Sequence, residues 1–321
     1  MNGIGQLPVR GFETMVCVFS TKSIVSRASI LLFALLVSSC GLRVDAGEVN
    51  VTFEPIGLTE PVPIFTPRPG PLIGLLTGVI AYEARVPEHG YDIFMVYPDG
   101  SSPIGIANCN ADERDPMWSV EGAKLLYVAE EADRTSLLVY SRSSSTTEMV
   151  YTTPGWAGMH QWSPDGESIA FVQVSQLGSD IFVASMADDT VTKVTDSRDL
   201  VSSPVWSPDG TRLAFLASSL DSQSSDLMVL DMKARNGVPQ KINSTRGYFT
   251  SPLWSPDGRR ILITVADTTD STSQVGYIDV ADGSLVMLGD PLAPTFRGAW
   301  SNTAGLIAFT CGISGGESIC L

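Results

Sequence analysis

The chain is poor in histidine and in basic residues. It has 2 histidines, and its 20 lysines and arginines are outnumbered by 35 aspartates and glutamates, which gives a formal net charge of −15. A nucleic-acid partner requires a basic face, so this balance argues against one. The 5 cysteines do not have the spacing of a metal site, and we expect neither a metal nor another cofactor.

No hydrophobic run is long enough to cross a membrane. The longest apolar stretch near the N-terminus, ILLFALLV (residues 30–37), falls well short of the roughly twenty residues that a spanning helix needs. Lys22 and Arg27 precede it and the small residues SSC follow it, which is the pattern of a secretory signal. VSSC also resembles a bacterial lipobox, in which the cysteine is acylated. We therefore predict a lipoprotein signal peptide over residues 1–39, with Cys40 as the lipidated residue.

Two alternatives to this N-terminal assignment stay open. One is an ordinary signal peptide in which the cysteine is incidental. The other concerns the translation start, which is Met1 or Met15. In either case we expect an exported protein that faces the periplasm or the cell exterior.

The segment that follows is rich in proline. Prolines occupy positions 55, 61, 63, 67, 69 and 71, a density that disfavours helix and sheet interiors and favours an extended spacer. We predict a lipid-anchored tether over residues 40–72 and a folded domain over residues 73–321. The stretch VNVTFEP (residues 49–55) could still serve as an edge strand.

The rest of the chain lacks any amphipathic helix pattern and is instead repetitive. Five tryptophans recur 44 to 48 residues apart, and seven residues after each begins a short apolar segment: Trp118, Trp162, Trp206, Trp254 and Trp300. A sixth apolar segment of this kind begins at Ile80 without a tryptophan before it. The sequence therefore contains six units of about 45 residues.

Each unit predicts four short strands. The tryptophan ends the first strand, the apolar segment is the second, and a third apolar strand and a weaker fourth follow. Four antiparallel strands in about 45 residues are typical of a β-propeller blade. We predict an all-β, six-bladed propeller of four-stranded antiparallel blades, in which an N-terminal strand completes the last blade and closes the ring.

The tryptophan is followed by Ser-Pro-Asp-Gly in three of the units. Proline, aspartate and glycine each favour a tight turn, and the tryptophan has the bulk to fill the gap between wedge-shaped blades. We interpret this motif as structural, with no catalytic role.

The repeated pattern WSPDG-x-x-IAF, followed by DIFV, resembles the TolB-type β-propeller family of exported bacterial proteins. The resemblance covers roughly residues 71–321 and is specific for the fold. It implies little about function, because the family's relatives include TolB, propeller domains of prolyl-oligopeptidase-type peptidases and polysaccharide lyases.

Two motifs with apparent chemistry are better explained by structure. Residues 312–316, GISGG, match the nucleophile elbow of α/β-hydrolases, but no histidine follows them, and we predict a glycine-rich turn between two strands. The oxygen-bearing side chains Asn108, Asn110, Asp112 and Asp115 do not have the spacing of a calcium-binding EF-hand loop. We predict no catalytic residue and no metal ligand.

The candidate binding surface is the mouth of the propeller channel, where loops enter the innermost strands. Aromatic and charged residues in those loops are suited to contact a protein, peptide or glycan, although some of the aromatics could simply plug the channel. The candidate residues are Arg114, Asp115, Trp156, Met159, His160, Arg198, Asp199, Tyr248, Phe249, Phe296 and Arg297.

From these features we predict a monomeric, lipid-anchored binding or scaffolding module without catalysis of its own. The alternatives are an enzyme or enzyme subunit that acts on glycans or peptides at the channel mouth, and a sensor ectodomain. Cys311 and Cys320 could form a disulfide in an oxidising compartment.

Overall fold

The computed structural model describes residues 78–321, apart from 88–89, 98–99, 101–102, 108–110, 197–198, 220–223, 235–236, 267–272, 289–294, 302–304 and 314–315. The chain divides into two compact units. Ile80–Met95 and Ile104–Leu321 form the larger unit, and most of the smaller one lies outside the described residues. The predicted signal peptide, Cys40, the tether and residues 49–55 lie outside the described residues.

The described residues contain no helix and form 22 strands in six antiparallel sheets. Within this part of the chain, accordingly, no helix has the length and apolar character to span a membrane. Sheet 1 consists of β1 (Ile80–Val86), β2 (Gly90–Val96) and β3 (Ile104–Gly105). Sheet 2 consists of β4 (Asp112–Trp118), β5 (Lys124–Glu130), β6 (Arg134–Ser141) and β7 (Thr146–Pro154).

The remaining sheets follow the same order along the chain. Sheet 3 consists of β8 (Ala157–Trp162), β9 (Ser168–Ser175), β10 (Gly178–Ser185) and β11 (Val191–Lys193). Sheet 4 consists of β12 (Leu200–Trp206), β13 (Arg212–Ser218), β14 (Asp226–Asp231) and β15 (Gln240–Lys241). Sheet 5 consists of β16 (Tyr248–Trp254), β17 (Arg260–Ala266), β18 (Ser273–Asp279) and β19 (Leu285–Met287), and sheet 6 of β20 (Thr295–Trp300), β21 (Ile307–Ile313) and β22 (Gly316–Cys320).

These sheets confirm the predicted architecture of the repeat. Sheets 2 to 5 each have four antiparallel strands, and in each the first strand ends at the repeated tryptophan. First strands of consecutive sheets contact each other, as β8 contacts β12 and β12 contacts β16. This arrangement is consistent with blades of a propeller. Six sheets match the six units, but their closure into one six-bladed ring stays a prediction.

The core lies between the sheets. Second strands are buried along most of their length: Leu125, Leu126 and Tyr127 on β5 are at most 2% exposed. Both faces of these strands are buried because each sheet packs against its neighbours, which explains why their sequences are apolar without alternation.

The repeated tryptophan joins each sheet to the one before it. In three sheets the indole N–H of this tryptophan donates to a backbone carbonyl on the first strand of the preceding sheet. The carbonyl belongs to the residue just before the tryptophan of that strand. The bonds are Trp162 to Met117 (3.2 Å), Trp254 to Val205 (3.1 Å) and Trp300 to Leu253 (3.1 Å). The tryptophan therefore fills the gap between sheets, as predicted, and also fixes their register.

The Ser-Pro-Asp-Gly turn is held by its own side chains. The Ser207 hydroxyl donates to the Asp209 carboxylate (2.6 Å), which also accepts the Thr211 N–H (3.1 Å). The Arg212 N–H donates back to the Ser207 hydroxyl oxygen (2.9 Å), and Gly210 adopts φ 66°, which a side chain would oppose. The same bonds recur in the turns that begin at Ser163 and Ser255.

The first strands also carry a feature that the sequence analysis missed. Each has a bulge three residues before its tryptophan, and in four strands the bulged residue is a non-glycine with positive φ: Asp115 (54°), Met159 (49°), Ser203 (52°) and Ser251 (53°). This backbone region is strained for a residue with a side chain. Its repetition shows that the bulge is part of the fold.

We expect acid to weaken the turns. The hydroxyl of Ser207, followed by the Thr211 N–H, lowers the pKa of Asp209 from 3.8 to about 2. Because the pKa is depressed in the folded state, the stabilisation is complete above pH 3.8 and is lost as the pH falls through about 2. Asp209→Asn should therefore lower the free energy of unfolding at pH 7 by no more than about 1 kcal/mol, since the group is exposed and screened.

Urea unfolding at pH 7 and pH 2 measures this effect. The difference between wild type and Asp209→Asn should shrink at pH 2. Glu148→Gln, which removes the charge of an exposed carboxylate on β7, is the matched charge control. An Asp209→Asn difference that is the same at both pH values would contradict the assignment.

We expect glycine to relieve the strain at the bulge. Ser203→Gly should raise the free energy of unfolding by about 0.5–1 kcal/mol, because glycine has no Cβ to oppose positive φ. Ser202→Gly, one residue earlier on the same strand, should lower stability because it only adds chain entropy to the unfolded state. Thermal and urea unfolding compare the two variants, and equal destabilisation by both would show that the bulge is not strained.

Candidate functional site

An arginine that departs from the repeat lies near the start of β4. Arg114 stacks its guanidinium over the Tyr91 ring, with 3.8 Å from Cζ to the ring centroid. Its Nη2 lies 3.4 Å from Asp112 Oδ2, and the other carboxylate oxygen of Asp112 accepts the Tyr91 N–H (2.9 Å). Gly90 (φ 97°) makes this approach possible, because a Cβ there would overlap the Asp112 carboxylate. Sheets 1 and 2 are thus joined through a charged and aromatic contact.

The adjoining carboxyl belongs to β5. The Trp156 indole N–H donates to Glu130 Oε1 (3.1 Å). Burial raises the pKa of Glu130, while the charge of Arg114 and the Trp156 hydrogen bond lower it and the charges of Asp115 and Asp112 raise it. The five residues Tyr91, Asp112, Arg114, Glu130 and Trp156 are called the Arg114 cluster below.

The bulge at Asp115 connects this cluster to two further sheets. Its N–H donates to Glu83 Oε2 on β1 (2.9 Å), and its carbonyl lies 2.8 Å from His160 Nε2 on β8. A carbonyl only accepts, so Nε2 carries the proton in the neutral ring and His160 is the donor. The backbone twist at Asp115 thus presents its polar groups to sheets 1 and 3.

The placement of His160 corrects a prediction. We expected this residue to line the channel mouth and contact a ligand, but it is 6% exposed. Burial lowers the pKa of His160, although the Asp115 carbonyl and charge oppose the shift, and the ring is held between β4 and β8. It acts in the described structure as a link between sheets.

Phe249 is also placed differently from the prediction. It is 1% exposed and packs in the core with Leu216, Leu227 and Trp254. A ligand therefore has no access to its ring, and its prediction as a binding residue is wrong. Its position, second on a first strand, points the side chain at the neighbouring sheet.

The other predicted residues vary in exposure. Met159 and Trp156 are half-buried and pack against the core between sheets 3 and 4, and Tyr248 is half-buried. Asp115 and Asp199 are exposed. Arg198 and the side chains of Phe296 and Arg297 lie outside the described residues. Of the predicted set, the structure thus gathers Arg114, Asp115, Trp156 and His160.

The predicted disulfide is tested for only one of its two cysteines. Cys320 is disulfide-bonded, whereas the side chain of Cys311 lies outside the described residues. Their pairing therefore stays a prediction.

The two rejected motifs have structural roles where they are described. β21 and β22 pair antiparallel on either side of residues 314–315, with Gly312 opposite Glu317 and Ile313 opposite Gly316. This hairpin confirms the predicted turn. In the suggested calcium loop, Asn108 and Asn110 lie outside the description, and the Asp112 carboxylate is engaged by Tyr91 and Arg114. Within the described ranges, no three His, Cys, Asp or Glu side chains form a group that could hold a metal ion.

Sequence reasoning missed a cavity of about 390 Å³ between sheets 3 and 4. Its walls include Val201, Phe215 and Met228, and its rim carries Asp226 and Lys241. The sequence carries no local signal for this cavity, because its lining combines strands of sheet 4 with the segments that connect them.

The family comparison agrees with the geometry. Residues 74–218 match the model of the TolB beta propeller domain family. No curated protein sequence matches the chain. The chain therefore resembles the TolB-type β-propeller family, as its repeated motif predicted.

Solved structures share the fold at low identity. TolB from Acinetobacter baumannii is 22% identical with a TM-score of 0.57 over 76% of this chain, and the chain spans only 61% of that protein. The β-propeller domain of the Trilobed protease from Pyrococcus furiosus, which has an open velcro topology, is 13% identical with a TM-score of 0.57 over 76% of this chain and 77% of that one. Oligogalacturonate lyase from Vibrio parahaemolyticus is 10% identical with a TM-score of 0.58 over 74% and 73% of the two chains. At these identities the likenesses show a β-propeller fold and nothing about activity.

Removing the charge of Glu130 should stabilise the protein in a pH-dependent way. Because the pKa of Glu130 is raised in the folded state, its ionisation opposes folding at neutral pH, and this cost vanishes as the pH falls below the unfolded value of 4.5. Glu130→Gln keeps an oxygen for the Trp156 N–H and should gain stability relative to wild type at pH 7, but not at pH 4.

Urea unfolding at both pH values measures the two free energies. Glu148→Gln, which changes an exposed carboxylate on β7 in the same way, is the matched control. A Glu130→Gln variant that is less stable than wild type at pH 7 would mean that its pairing with Arg114 outweighs its burial.

Proposed function

We propose that this chain is an exported, lipid-anchored six-bladed propeller that binds a protein partner and has no catalysis of its own. One observation carries the proposal. The repeated residues are used within the fold, in turns and between sheets, whereas Arg114, which stands where β12 has Ser202 and β16 has Thr250, lies in a partly exposed cluster of charged and aromatic side chains. Residues that are needed neither for the fold nor for the repeat are the ones available for binding.

The composition of this cluster suits a protein surface. It offers an arginine stacked on a tyrosine and an indole paired with a carboxylate, and arginine and aromatic residues are enriched at interface hot spots. The Arg114 side chain is 33% exposed, so part of it remains open to a partner.

Charge indicates the kind of partner. Asp112 pairs with Arg114, Glu130 and Asp115 lie close enough for their charges to interact, Glu83 bonds to the Asp115 backbone, and the whole chain carries −15. Opposite charge speeds encounter and selects among partners. We therefore propose a partner with a basic contact surface.

The six-blade count is supported by the repeat. The sequence contains six units, and the described residues form six antiparallel sheets in the same order along the chain.

Closure of the ring is supported by sheet 6. Its third strand, β22, pairs on one side with β21, and Ile319 on β22 is 80% exposed. An unprotected edge strand invites pairing with another chain. We propose that residues 49–55 add the fourth strand and cover this edge.

The anchor follows from the N-terminal sequence. A lipidated Cys40 would anchor the chain. Within the predicted tether of residues 40–72, the part before the closing strand at 49–55 would separate the propeller from the membrane and leave its binding face free. Mass spectrometry of the protein purified from membranes tests this assignment: diacylglycerol on an N-terminal Cys40 supports it, and an unmodified mature N-terminus contradicts it.

The absence of catalysis is also a proposal. Oligogalacturonate lyase and a protease domain share the fold, so an enzyme remains the alternative function. Support for a binding role comes from His160, which is buried with its Nε2 proton on a backbone carbonyl and is therefore poorly placed for acid–base chemistry. Turnover of pectic oligosaccharides or peptides by the purified protein would contradict the proposal.

Capture of a partner from host membranes tests the binding function. We expect Arg114→Ala and Trp156→Phe each to reduce the amount of co-purified partner at least tenfold, because they remove the stacked guanidinium and the indole donor. Binding of the purified partner, measured at low and high salt, should weaken as salt rises.

Arg142→Ala is the matched control for the loss of an arginine. Arg142 also lies over an aromatic ring, 5.6 Å from that of Trp118, but it contacts the turn at Gly122 at the other end of β4. It should bind the partner as wild type does. If Arg114→Ala, Trp156→Phe and Arg142→Ala all captured as much partner as wild type, with unchanged thermal stability, the assigned surface would be contradicted.

A further inference from the structure

The cavity between sheets 3 and 4 has an apolar wall and a charged rim. Val201, Phe215 and Met228 line it, and the first two are each 2% exposed. Its volume of about 390 Å³ falls in the range of small-ligand sites. The wall suits an aliphatic chain.

The cavity depends on one side-chain difference between equivalent strands. Val201 is the second residue of β12, and Phe249 is the second residue of β16. Phe249 is buried in the core between sheets 4 and 5. At the interface between sheets 3 and 4 the smaller valine leaves space where the next interface has a ring.

One ion pair lies at the rim, where Lys241 and Asp226 line the cavity, and an equivalent pair, Lys193 and Asp180, lies outside the lining. Lys193 Nζ lies 3.0 Å from Asp180 and 2.8 Å from Asp196, and Lys241 Nζ lies 2.6 Å from Asp226. The lysines occupy matching positions, since Lys193 pairs with the residue two after Asp180 and Lys241 with the residue two after Asp226.

A further carboxylate makes the rim acidic. Asp199, exposed on the segment that leads into β12, lines the cavity with Asp196 and Asp226. Among the described residues that line the cavity, three carboxylates (Asp196, Asp199 and Asp226) accompany one ammonium group (Lys241), so this lining carries a formal excess of two negative charges. An apolar wall beneath an acidic rim is complementary to a cation at the end of an aliphatic stem.

We propose that this cavity takes a lysine or arginine side chain of the protein partner. The stem packs on Val201, Phe215 and Met228, and the cation lies among the rim carboxylates. Lys241 is 47% exposed, and such exposed pairs are weak, so the incoming cation can share Asp226 at little cost. The inference rests on the proposed protein-binding function and names the side chain that is recognised.

The test uses defined probes on the whole folded protein. The probes are the peptides acetyl-Ala-Ala-Lys-Ala-Ala-amide and its norleucine counterpart, together with 1,5-diaminopentane as a free amine. Binding is followed by NMR of the methionine methyl groups, in which Met228 reports on the cavity. We expect the lysine peptide to shift the Met228 signal and to bind at least tenfold more tightly than the norleucine peptide.

Two variants and one control localise the binding. Val201→Phe introduces the ring that β16 already carries and should abolish binding by filling the space. Because added volume can strain a core, its thermal unfolding is measured in parallel, and Asp199→Asn provides a second, exposed variant. Asp199→Asn should weaken the binding of the lysine peptide about fivefold. Asp188→Asn removes the same charge in the turn before β11 and should leave binding unchanged.

Equal binding of the lysine and norleucine peptides, or unchanged binding by both Val201→Phe and Asp199→Asn, would overturn the inference. Binding of 1,5-diaminopentane without binding of the lysine peptide would overturn the assignment to a protein side chain. These outcomes are separate from the proposed function. Partner capture that depends on Arg114 would still stand if the peptides failed to bind.

Discussion

The packing of each sheet on the next depends on the tryptophan that ends the first strand. Its ring lies between two sheets, and in three of them its N–H bonds to a carbonyl of the preceding first strand. A buried indole N–H without an acceptor would cost stability, so the bond favours one register over others. Arg212 reinforces one such contact by stacking over the Trp254 ring at 4.6 Å and donating to the Gly258 carbonyl (2.7 Å).

The bulge on the same strand acts together with the tryptophan. At Asp115 the twisted backbone directs its N–H to Glu83 and its carbonyl to His160. Where sheet 3 meets sheet 4 the pattern changes. Gln161 accepts the backbone N–H of Trp206 through its side chain (3.1 Å), while the Trp206 indole nitrogen is buried without an acceptor in the described residues. This is also the interface that contains the cavity, so the departure from the repeat coincides with looser packing.

Much of this fold could be predicted from the sequence because it depends on local, repeated signals. The spacing of Trp118 to Trp300 gave the unit length, and Ser-Pro-Asp-Gly gave the turn. The bulges had a signal that was overlooked. Pro116, Pro204 and Pro252 each stand two residues before a tryptophan, and a proline inside a strand marks an edge or a bulge. His160 takes the place of that proline on β8, which explains why it is buried between strands and does not line a channel.

The candidate site was only partly predictable, because it depends on contacts between residues far apart in the chain. Loop position singled out Arg114 and Trp156 as candidates, but it could not show that Arg114 stacks on Tyr91 or that Glu130 accepts a hydrogen bond from Trp156. The same reasoning failed for Phe249, because the direction of its side chain is set by its position on the strand and not by its proximity to a loop. The cavity was beyond reach for a related reason: it arises from the volume of Val201 against that of Phe249 at equivalent positions, and only the packed sheets show which space the smaller side chain leaves open.

Repetition and binding therefore make opposite demands on equivalent positions. Where one sheet joins the next, the chain keeps tryptophan, serine, aspartate and glycine, and in the described residues most of their polar groups are hydrogen-bonded, the indoles of Trp118 and Trp206 being exceptions. Where the strands begin, each unit differs: β4 has Arg114 at a position at which β12 has Ser202 and β16 has Thr250. Substitution is tolerated there because the tryptophan and the turn already hold the sheets together. The tryptophan and the turn stabilise one end of the strands. The other end can therefore carry a charged, partly exposed cluster and an open cavity, although both features contribute little to stability.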